Sequence, residues 1–430
     1  MKVDNGSSVL ASHGSSWWWW PLPGGPGDTA TFGQRPPHDW APWLGTFYWI
    51  VHIVGVITCV RLCVGLFRNV RFLYAHWVRR PHDLLRRYGA GSWVVVTGAS
   101  DGIGLGFAVE FAKLGFNIVL IARNTEKLER AAAHVKEEAN RARDARRRAV
   151  GDSHDNLRKD VEVKQTSAQA DARSERVGDD AVQVKVLVMD FKQCHDLSFW
   201  SDRFDKPLRE LDVSVLVNNV GMNETDHFDQ IDPQCLLDMV SVNCTTQLLA
   251  TRCLIERLKA RTDGRKAALP SIAAAPSTVR SAVISLSSIA GQRPLLYLSP
   301  YSATKAFNDF FSRALALEFG GGDSPVLGCS SPAGGGIDVL SCRPAYVVRN
   351  MSHITAKSGF VIDRYECARS CMDKLGYVTE TYGDPRHAVY ARSYFWLPER
   401  WLRSIRERRL RAKQKKGPTS SPSLGDTKGP

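Results

Sequence analysis

Residues 93–106 read WVVVTGASDGIGLG, and this stretch decides the fold. Its three consecutive valines favour a buried β-strand, because β-branched side chains pack well on a pleated surface. The glycines at 98, 102 and 104 allow a tight turn, and a helical pattern of apolar residues begins at Leu105. A strand that passes through a glycine-rich turn into a helix presents the helix N-terminus to a phosphate group. The stretch therefore predicts a dinucleotide site at the end of a strand.

Further apolar runs along the chain have the character of buried strands. They lie at residues 117–123, 182–190, 213–221, 282–286 and 337–342. Strands that alternate with helical segments predict an α/β fold, here a Rossmann-type doubly wound parallel sheet. Arg123 ends the second strand, where a carboxylate would bind the 2′-hydroxyl of NAD. An arginine there can bind a 2′-phosphate, so we expect NADPH as the cofactor.

A second motif indicates the chemistry. Tyr301 and Lys305 stand four residues apart in YSATK, which places both on one face of a helix. A nearby ammonium group lowers the pKa of a phenol and makes it a usable general acid. Ser287 and Ser288 end a strand-like run, so a hydroxyl group can meet the phenol at the tip of the sheet. Such a set of groups suits the reduction of a carbonyl or the oxidation of an alcohol.

Together these motifs resemble those of the short-chain dehydrogenase/reductase family. They appear as TGASDGIG (97–104), NNVG (218–221), Asn243, Ser288 and YSATK (301–305), and the resemblance covers residues 91–376. NNVGM (218–222) and YSATKAFNDFFS (301–312) carry a narrower likeness. It is to the membrane-bound 3-oxoacyl-CoA reductases of fatty-acid elongation and to the microsomal hydroxysteroid dehydrogenases.

The resemblance implies four catalytic residues. Ser288 would donate a hydrogen bond to the substrate carbonyl, and Tyr301 would supply the proton. Lys305 would lower the pKa of the phenol and hold the nicotinamide ribose, while Asn243 would hold a water that passes protons to Lys305. The implied cofactor-binding residues are Gly98, Ser100, Asp101, Gly102, Ile103, Gly104, Arg123, Asp190, Asn218, Asn219, Gly221, Tyr301, Lys305, Pro344 and Val347.

Three of these positions carry more specific expectations. Asp190 and the neighbouring Phe191 should lie beside the adenine, and Val347 should bond the nicotinamide carboxamide. Asp101 adds a negative charge near the cofactor phosphates, which by itself indicates no cofactor preference. Arg349 stands where the family usually has a threonine that helps to hold the nicotinamide.

Composition limits the classes of partner. A net charge of +13 calls for an anionic partner, whether nucleic acid, a membrane surface or a phosphate-bearing ligand. The ten cysteines show no disulfide framework, and no histidines follow them at metal-ligand spacing. We therefore expect reduced thiols and no metal site.

Residues 43–67 are long and apolar enough to cross a membrane, although a buried or in-plane helix is the alternative. Only Lys2 and Arg35 carry positive charge before this segment, whereas six arginines follow it closely. They are Arg68, Arg71, Arg79, Arg80, Arg86 and Arg87. The asymmetry predicts that the C-terminal side lies in the cytosol.

The remaining segments are expected to lie outside the core of the catalytic domain. Residues 1–42 should be disordered, and the tryptophans at 17–20 either sit in a membrane interface or have no function. Inserts are expected at about 140–180, 262–278 and 320–336, and the first of them is either solvated and flexible or a frayed extension of the preceding helix. Residues 377–430 form a basic tail, for which we favour a membrane surface over nucleic acid. Residues 363–375 should form an amphipathic helix over the substrate cleft.

We therefore expect an NADPH-dependent reductase of 3-oxoacyl-CoA, anchored in the endoplasmic reticulum membrane with its catalytic domain facing the cytosol. The alternatives are a 17β-type hydroxysteroid dehydrogenase and a membrane-anchored protein that binds the nucleotide without catalysis. Other elongation enzymes and a second copy of the chain are further expected partners, and nucleic acid is not.

Overall fold

The computed structural model describes residues 41–77, 81–160, 181–262, 279–320, 336–348 and 359–396, with residues 398, 400, 401, 403, 404, 407 and 408. Several predicted features lie outside these residues. They are most of the N-terminal segment including residues 17–20, most of the second and third inserts, Arg349, and most of the basic run near the C-terminus. The chain divides into two compact units between Arg68 and Asn69.

The second unit contains a parallel sheet that has seven strands over the described residues. The strands are β1 (Trp93–Thr97), β2 (Asn117–Ala122), β3 (Val184–Val188), β4 (Val213–Asn218), β5 (Ser281–Leu286), β6 (Ile337–Cys342) and β9 (Glu380–Thr381). Their order is β3-β2-β1-β4-β5-β6-β9. The order reverses direction between β1 and β4, which is the switch point where doubly wound sheets bind ligands. The predicted Rossmann-type sheet is confirmed.

Helices cover both faces of the sheet. In chain order the described α-helices of five or more residues, including α1, most of which belongs to the first unit, are α1 (Ala41–Trp77), α2 (Leu84–Tyr88), α3 (Gly102–Leu114), α4 (Thr125–Asp160), α5 (Pro233–Val240), α6 (Thr246–Thr262), α7 (Ser299–Phe319), α8 (Arg364–Met372) and α9 (Pro385–Trp396). A π-helical turn at Ser241–Thr245 joins α5 to α6. Two short strands, β7 (Tyr346–Val347) and β8 (Val361–Ile362), pair outside the main sheet.

Two hydrophobic cores form because the strands are apolar on both faces. Val94 and Val96 of β1 point into one core, with side chains from α3, α4 and α8. Val95 points into the other core, with side chains from α6 and α7. All three valines are fully buried. An unbroken apolar run is what a strand needs when helices cover both its faces.

A charged cluster lies at the amino ends of the strands. Asp338, the second residue of β6, accepts hydrogen bonds from Arg87 (2.7 Å), Tyr88 (2.8 Å) and Arg280 (3.0 Å). Burial alone would raise the pKa of Asp338, but its bonds to Arg87 and the charges of Arg87 and Arg280 hold the pKa below its usual value. The cluster ties α2 and the start of β5 to β6.

The helix α1 contains the predicted anchor. Its residues 45–67 are long and apolar enough to cross a membrane. Within this stretch the Thr58 hydroxyl bonds locally, donating to the Val54 carbonyl at 2.7 Å. Local bonding of this kind lowers the cost of a polar side chain in an apolar setting.

One expected boundary is corrected. We predicted that the domain ends at residue 376, but β9 pairs with β6 at Glu380–Thr381, and α9 follows. The first half of the insert expected at about 140–180 is an extension of the preceding helix, since α4 continues to Asp160. The helix expected at 363–375 is α8, which packs on α3 in the first core, and its position over a substrate cleft stays a prediction.

Candidate active site

A cavity opens at the carboxyl ends of β4, β5 and β6, beside the start of α3. It brings together residues from five separate segments of the chain. They are Ile103, Asn219, Gly221, Leu286, Ser287, Ser288, Tyr301, Lys305, Pro344 and Ala345. Eight of the ten belong to motifs singled out from the sequence, and Leu286 ends the strand that leads to Ser287 and Ser288. The motifs, although more than 200 residues apart at their extremes, thus line one site.

The glycine-rich turn is packed too closely for any other residue. Gly98 and Gly102 have φ angles of 66° and 61°, in the left-handed region that favours glycine. A Cβ atom on Gly98 would lie 2.8 Å from the Cα of Val220. One on Gly104 would lie 2.4 Å from the side-chain nitrogen of Asn219. The turn thus lies tight against the residues after β4, and α3 begins directly after it.

Asp101 is paired with an arginine from the far end of the domain. It occupies the N-cap position of α3 but makes no side-chain capping bond. Its carboxylate instead lies 2.6 Å from Arg364, the first residue of α8. The ion pair offsets the negative charge of Asp101 near the expected phosphates. Because the Asp101 side chain does not cap α3, the N-terminus of this helix is available to a phosphate group.

The two residues expected at the adenosine end differ in their surroundings. Arg123 directly follows β2 and is exposed, as a group that binds a 2′-phosphate requires. Asp190 follows the neighbouring strand β3, and its carboxylate accepts the Lys192 backbone N–H at 3.1 Å. Phe191 does not provide an open adenine surface, because its ring is buried and stacks on Trp200.

The two asparagines after β4 have separate roles. The Asn219 side chain donates to the carbonyls of Thr97 and Gly98 at 2.9 and 3.0 Å, so it supports the glycine-rich turn. Asn218 was predicted to bind the cofactor, but its side chain is buried and donates to Thr251 of α6 at 3.0 Å. The side-chain alternation of a strand explains the difference, because successive residues point to opposite faces.

Tyr301 and Lys305 lie together at the start of α7, as their spacing predicts. Both are buried, and the Lys305 Nζ lies 5.8 Å from the centre of the Tyr301 ring. Nζ also donates to the Leu286 carbonyl at 2.7 Å, which holds the ammonium group at the end of β5. The geometry therefore supports an ammonium group that acts on a neighbouring phenol.

The two serines after β5 are distinguished by their contacts. The Ser287 hydroxyl donates to the Lys305 carbonyl at 2.6 Å, and this bond ties β5 to α7. The Ser288 oxygen accepts the Ala290 backbone N–H at 3.2 Å, an arrangement that leaves its own proton to be directed elsewhere. Ser288 is the serine suited to bond a substrate carbonyl.

Asn243 lies in the π-helical turn and connects three segments. Its amide oxygen accepts the Met222 N–H at 2.8 Å, and its nitrogen donates to the Met222 carbonyl and to Thr304, both at 2.9 Å. A Cβ atom on Gly221 would lie 3.3 Å from both the Asn243 oxygen and the Lys305 Nζ. Gly221 therefore leaves space between these two polar groups. The role of Asn243 in proton transfer stays a prediction.

The loop after β6 forms another wall of the cavity. Pro344 and Ala345 line the cavity, and Val347 is buried in β7. Arg343, just before the loop, forms a buried two-pronged pair with Asp309 of α7, at 2.7 and 3.0 Å. This pair fixes the start of the loop to the helix that carries Tyr301 and Lys305.

Sequence reasoning missed Arg364, Arg343 and Asp309. None of them stands in a recognisable local motif, and each acts through a partner at least 34 positions away. The signal that could have found them is a charged residue inside an otherwise buried pattern, as at Asp309 and Arg343. Among the described residues, no group of three or more His, Cys, Asp or Glu side chains could hold a metal ion.

The site fits a nicotinamide dinucleotide. The close-packed glycine turn, the start of α3 and the exposed Arg123 suit its phosphates. The cavity beside Tyr301 and Lys305 is where a nicotinamide ring would meet the proton-donating groups. We expect Gly98, Ser100, Gly102, Ile103 and Gly104 to hold the pyrophosphate and Lys305 to hold the nicotinamide ribose.

Comparison with known proteins gives three results. The sequence model described as "short chain dehydrogenase" matches residues 92–156 and 153–323. A very-long-chain 3-oxoacyl-CoA reductase of Anas platyrhynchos is 27% identical over 83% of this chain and 91% of its own length. A hydroxysteroid dehydrogenase-like protein 1 of Gallus gallus is 26% identical, with coverages of 81% and 86%.

Among solved structures, one reported for the stereoselectivity of a 7β-hydroxysteroid dehydrogenase is similar in fold. It has a TM-score of 0.52 and 18% sequence identity, and the match covers 75% of this chain and 99% of that chain. Similarity at this level concerns the fold alone, and it agrees with the doubly wound sheet described above.

Proposed function

The chain belongs to the short chain dehydrogenase family and is thus an oxidoreductase, and from this we propose that it reduces the 3-keto group of a long-chain 3-oxoacyl-CoA with NADPH. The observation that carries the proposal is the single cavity in which Ser288, Tyr301 and Lys305 meet the glycine-rich turn. A fold alone does not determine a reaction, but this set of groups favours the reduction of a carbonyl or the oxidation of an alcohol.

We propose the following division of work among the residues. NADPH, when bound, supplies the hydride that reduces the ketone carbon. Ser288 donates a hydrogen bond to the ketone oxygen, and Tyr301 passes its phenolic proton to that oxygen as negative charge builds there. Lys305, held by the Leu286 carbonyl at 2.7 Å, favours the ionised phenol by its positive charge. Asn243 supports the path by which the proton is replaced.

The substrate class rests on similarity and on the character of the chain. Two relatives named as 3-oxoacyl-CoA reductases, from Anas platyrhynchos and Bos taurus, match over 83% and 84% of this chain. A long apolar acyl chain also suits an enzyme with a helix able to cross a membrane. The second candidate is a steroid ketone, because a relative of similar identity is named a hydroxysteroid dehydrogenase-like protein.

The test is a turnover assay of the full chain, purified in detergent, with NADPH and each of two substrates. We expect a long-chain 3-oxoacyl-CoA to be reduced with a kcat/KM at least about tenfold above that of estrone, a difference of about 1.4 kcal/mol. A higher kcat/KM for estrone would indicate that the substrate is a steroid ketone and not an acyl-CoA. If the chain bound NADPH but turned over neither substrate, it would instead be a nucleotide-binding protein without this catalytic activity.

We further propose that α1 anchors the enzyme in the endoplasmic reticulum membrane with the catalytic domain in the cytosol. The excess of arginine after residues 45–67 supports this orientation. Protease treatment of sealed microsomes tests it. We expect a C-terminal epitope to be digested from outside, and protection of that epitope until detergent is added would contradict the orientation. Association with other elongation enzymes and homodimer formation stay predictions.

A further inference from the structure

The loop that forms the wall of the cavity after β6 is held from behind by a histidine. His387 lies in the first turn of α9 and is fully buried. It contacts the backbone of Ala345, which lines the cavity, and of Tyr346, the next residue. No motif in the sequence marks this histidine, and the match to the family's sequence model ends at residue 323.

The contacts of His387 require one form of the imidazole ring. Nδ1 lies 3.3 Å from the Ala345 backbone nitrogen, which can only donate a hydrogen bond. Nε2 lies 3.0 Å from the Tyr346 carbonyl and 3.2 Å from the Phe360 carbonyl, which can only accept. The neutral ring with its proton on Nε2 satisfies all three groups. An imidazolium would direct a second N–H at the Ala345 N–H.

The surroundings favour this neutral form. Burial lowers the pKa of His387, and the bonds to Tyr346 and Phe360 together with the charge of Asp384 do not reverse the effect. Arg386, the adjacent residue, adds a positive charge that lowers the pKa further. The lowered pKa therefore favours the neutral ring that the three contacts require.

The loop is attached to the domain by other contacts besides those of His387. Tyr390, one turn later on α9, packs its ring against Tyr346 and against Phe360, with ring centres 5.5 Å apart in each case. Arg343 and Asp309 hold the other end of the loop. A substitution at His387 should therefore alter the position of the loop without unfolding the domain.

We propose that His387 is a positioning residue that sets the Ala345–Val347 backbone against which the nicotinamide end of the cofactor binds. This inference rests on the proposed use of NADPH. It assigns a function to α9, which lies in the segment expected from the sequence to be only a tail. His387 touches neither substrate nor cofactor and acts through the backbone of the loop.

The experiment compares two variants of the full chain. His387→Gln keeps an acceptor and a donor in the side chain, whereas His387→Phe keeps a ring of similar size and loses all three contacts. We measure the Kd for NADPH and for 2′-phospho-ADP-ribose, which lacks the nicotinamide, by titration calorimetry. Val389→Ala, at an exposed position of the same helix, is the matched control for changes in α9.

We expect His387→Phe to raise the Kd for NADPH roughly tenfold, as for the loss of one or two buried hydrogen bonds. Its Kd for 2′-phospho-ADP-ribose should stay within about twofold of the unaltered chain, and His387→Gln should recover most of the NADPH affinity. The proposal is overturned by equal weakening of both ligands, by no change in either, or by a glutamine variant that behaves like phenylalanine. Failure of the unaltered chain to bind NADPH would refute the proposed function instead.

Discussion

Gly221 offers a sharp test of the catalytic geometry. An added methyl group at this position would lie 3.3 Å from the Lys305 Nζ and 3.3 Å from the Asn243 oxygen. Both distances are shorter than ordinary van der Waals contact, and both neighbours are held by other bonds. Gly221→Ala therefore displaces the ammonium group that acts on Tyr301, while its backbone φ lies outside the region restricted to glycine.

The size of the effect follows from the distances. The distance from the added methyl group to each of these two atoms must increase by about 0.3–0.5 Å to reach ordinary van der Waals contact. Misplacement of a catalytic group by 1 Å costs about 100-fold in rate, so this smaller shift corresponds to about a 4- to 10-fold loss in kcat. The free energy of activation would rise by about 0.8–1.4 kcal/mol.

The assay measures kcat at saturating NADPH, the Kd for NADPH and the unfolding temperature. Gly359→Ala is the matched control, because a Cβ atom there would meet nothing within 4 Å. We expect it to leave kcat unchanged. If Gly221→Ala instead raised the Kd for NADPH and left kcat at saturation unchanged, Gly221 would provide space for the cofactor and not for the lysine, and our reasoning would be wrong.

Three other predictions concern single side chains. Tyr301→Phe should lower kcat at least about 100-fold with NADPH affinity intact, because it removes only the proton donor, and near-normal turnover would refute the assignment. Arg364→Leu removes the 2.6 Å ion pair with Asp101 and should raise the Kd for NADPH about fivefold, an effect that Asp101→Asn in the same chain should reverse. The pKa of Asp338 is lower in the folded protein than its ordinary value of 3.8. Its ionised form therefore stabilises the fold above pH 3.8, and this stabilisation is lost as the pH falls through the pKa of the folded state. The unfolding temperature should therefore drop steeply in this acid range, and Asp338→Asn should flatten that dependence; an unchanged slope would contradict the role of the cluster.

Local patterns were sufficient to predict most of the sheet and the centre of the site. The valine run before Gly98 predicts β1, since a strand covered on both faces must be apolar throughout. The four-residue spacing of Tyr301 and Lys305 predicts their shared face, because it is a property of the helix itself. Such features depend only on residues that are close in the sequence, so they can be predicted before the three-dimensional structure is known.

Features that depend on distant partners could not be predicted. Asp101 appeared as an uncompensated charge because Arg364, 263 positions later, gives no local sign of its role. The side chain of Asn218 points to α6, and a one-residue difference in strand register decides this. The domain boundary was placed too early because β9 is only two residues long and has no periodic pattern.

The position of β9 and α9 in the chain has a consequence during synthesis. A ribosome that has released residues only up to Phe360 has already exposed the glycine turn, the serines and the tyrosine–lysine pair. At that stage β6 still presents an unpaired edge, because β9 is the strand that covers it. Open edges of this kind pair readily with other chains, so the nascent protein stays vulnerable to aggregation until β9 has emerged and paired with β6.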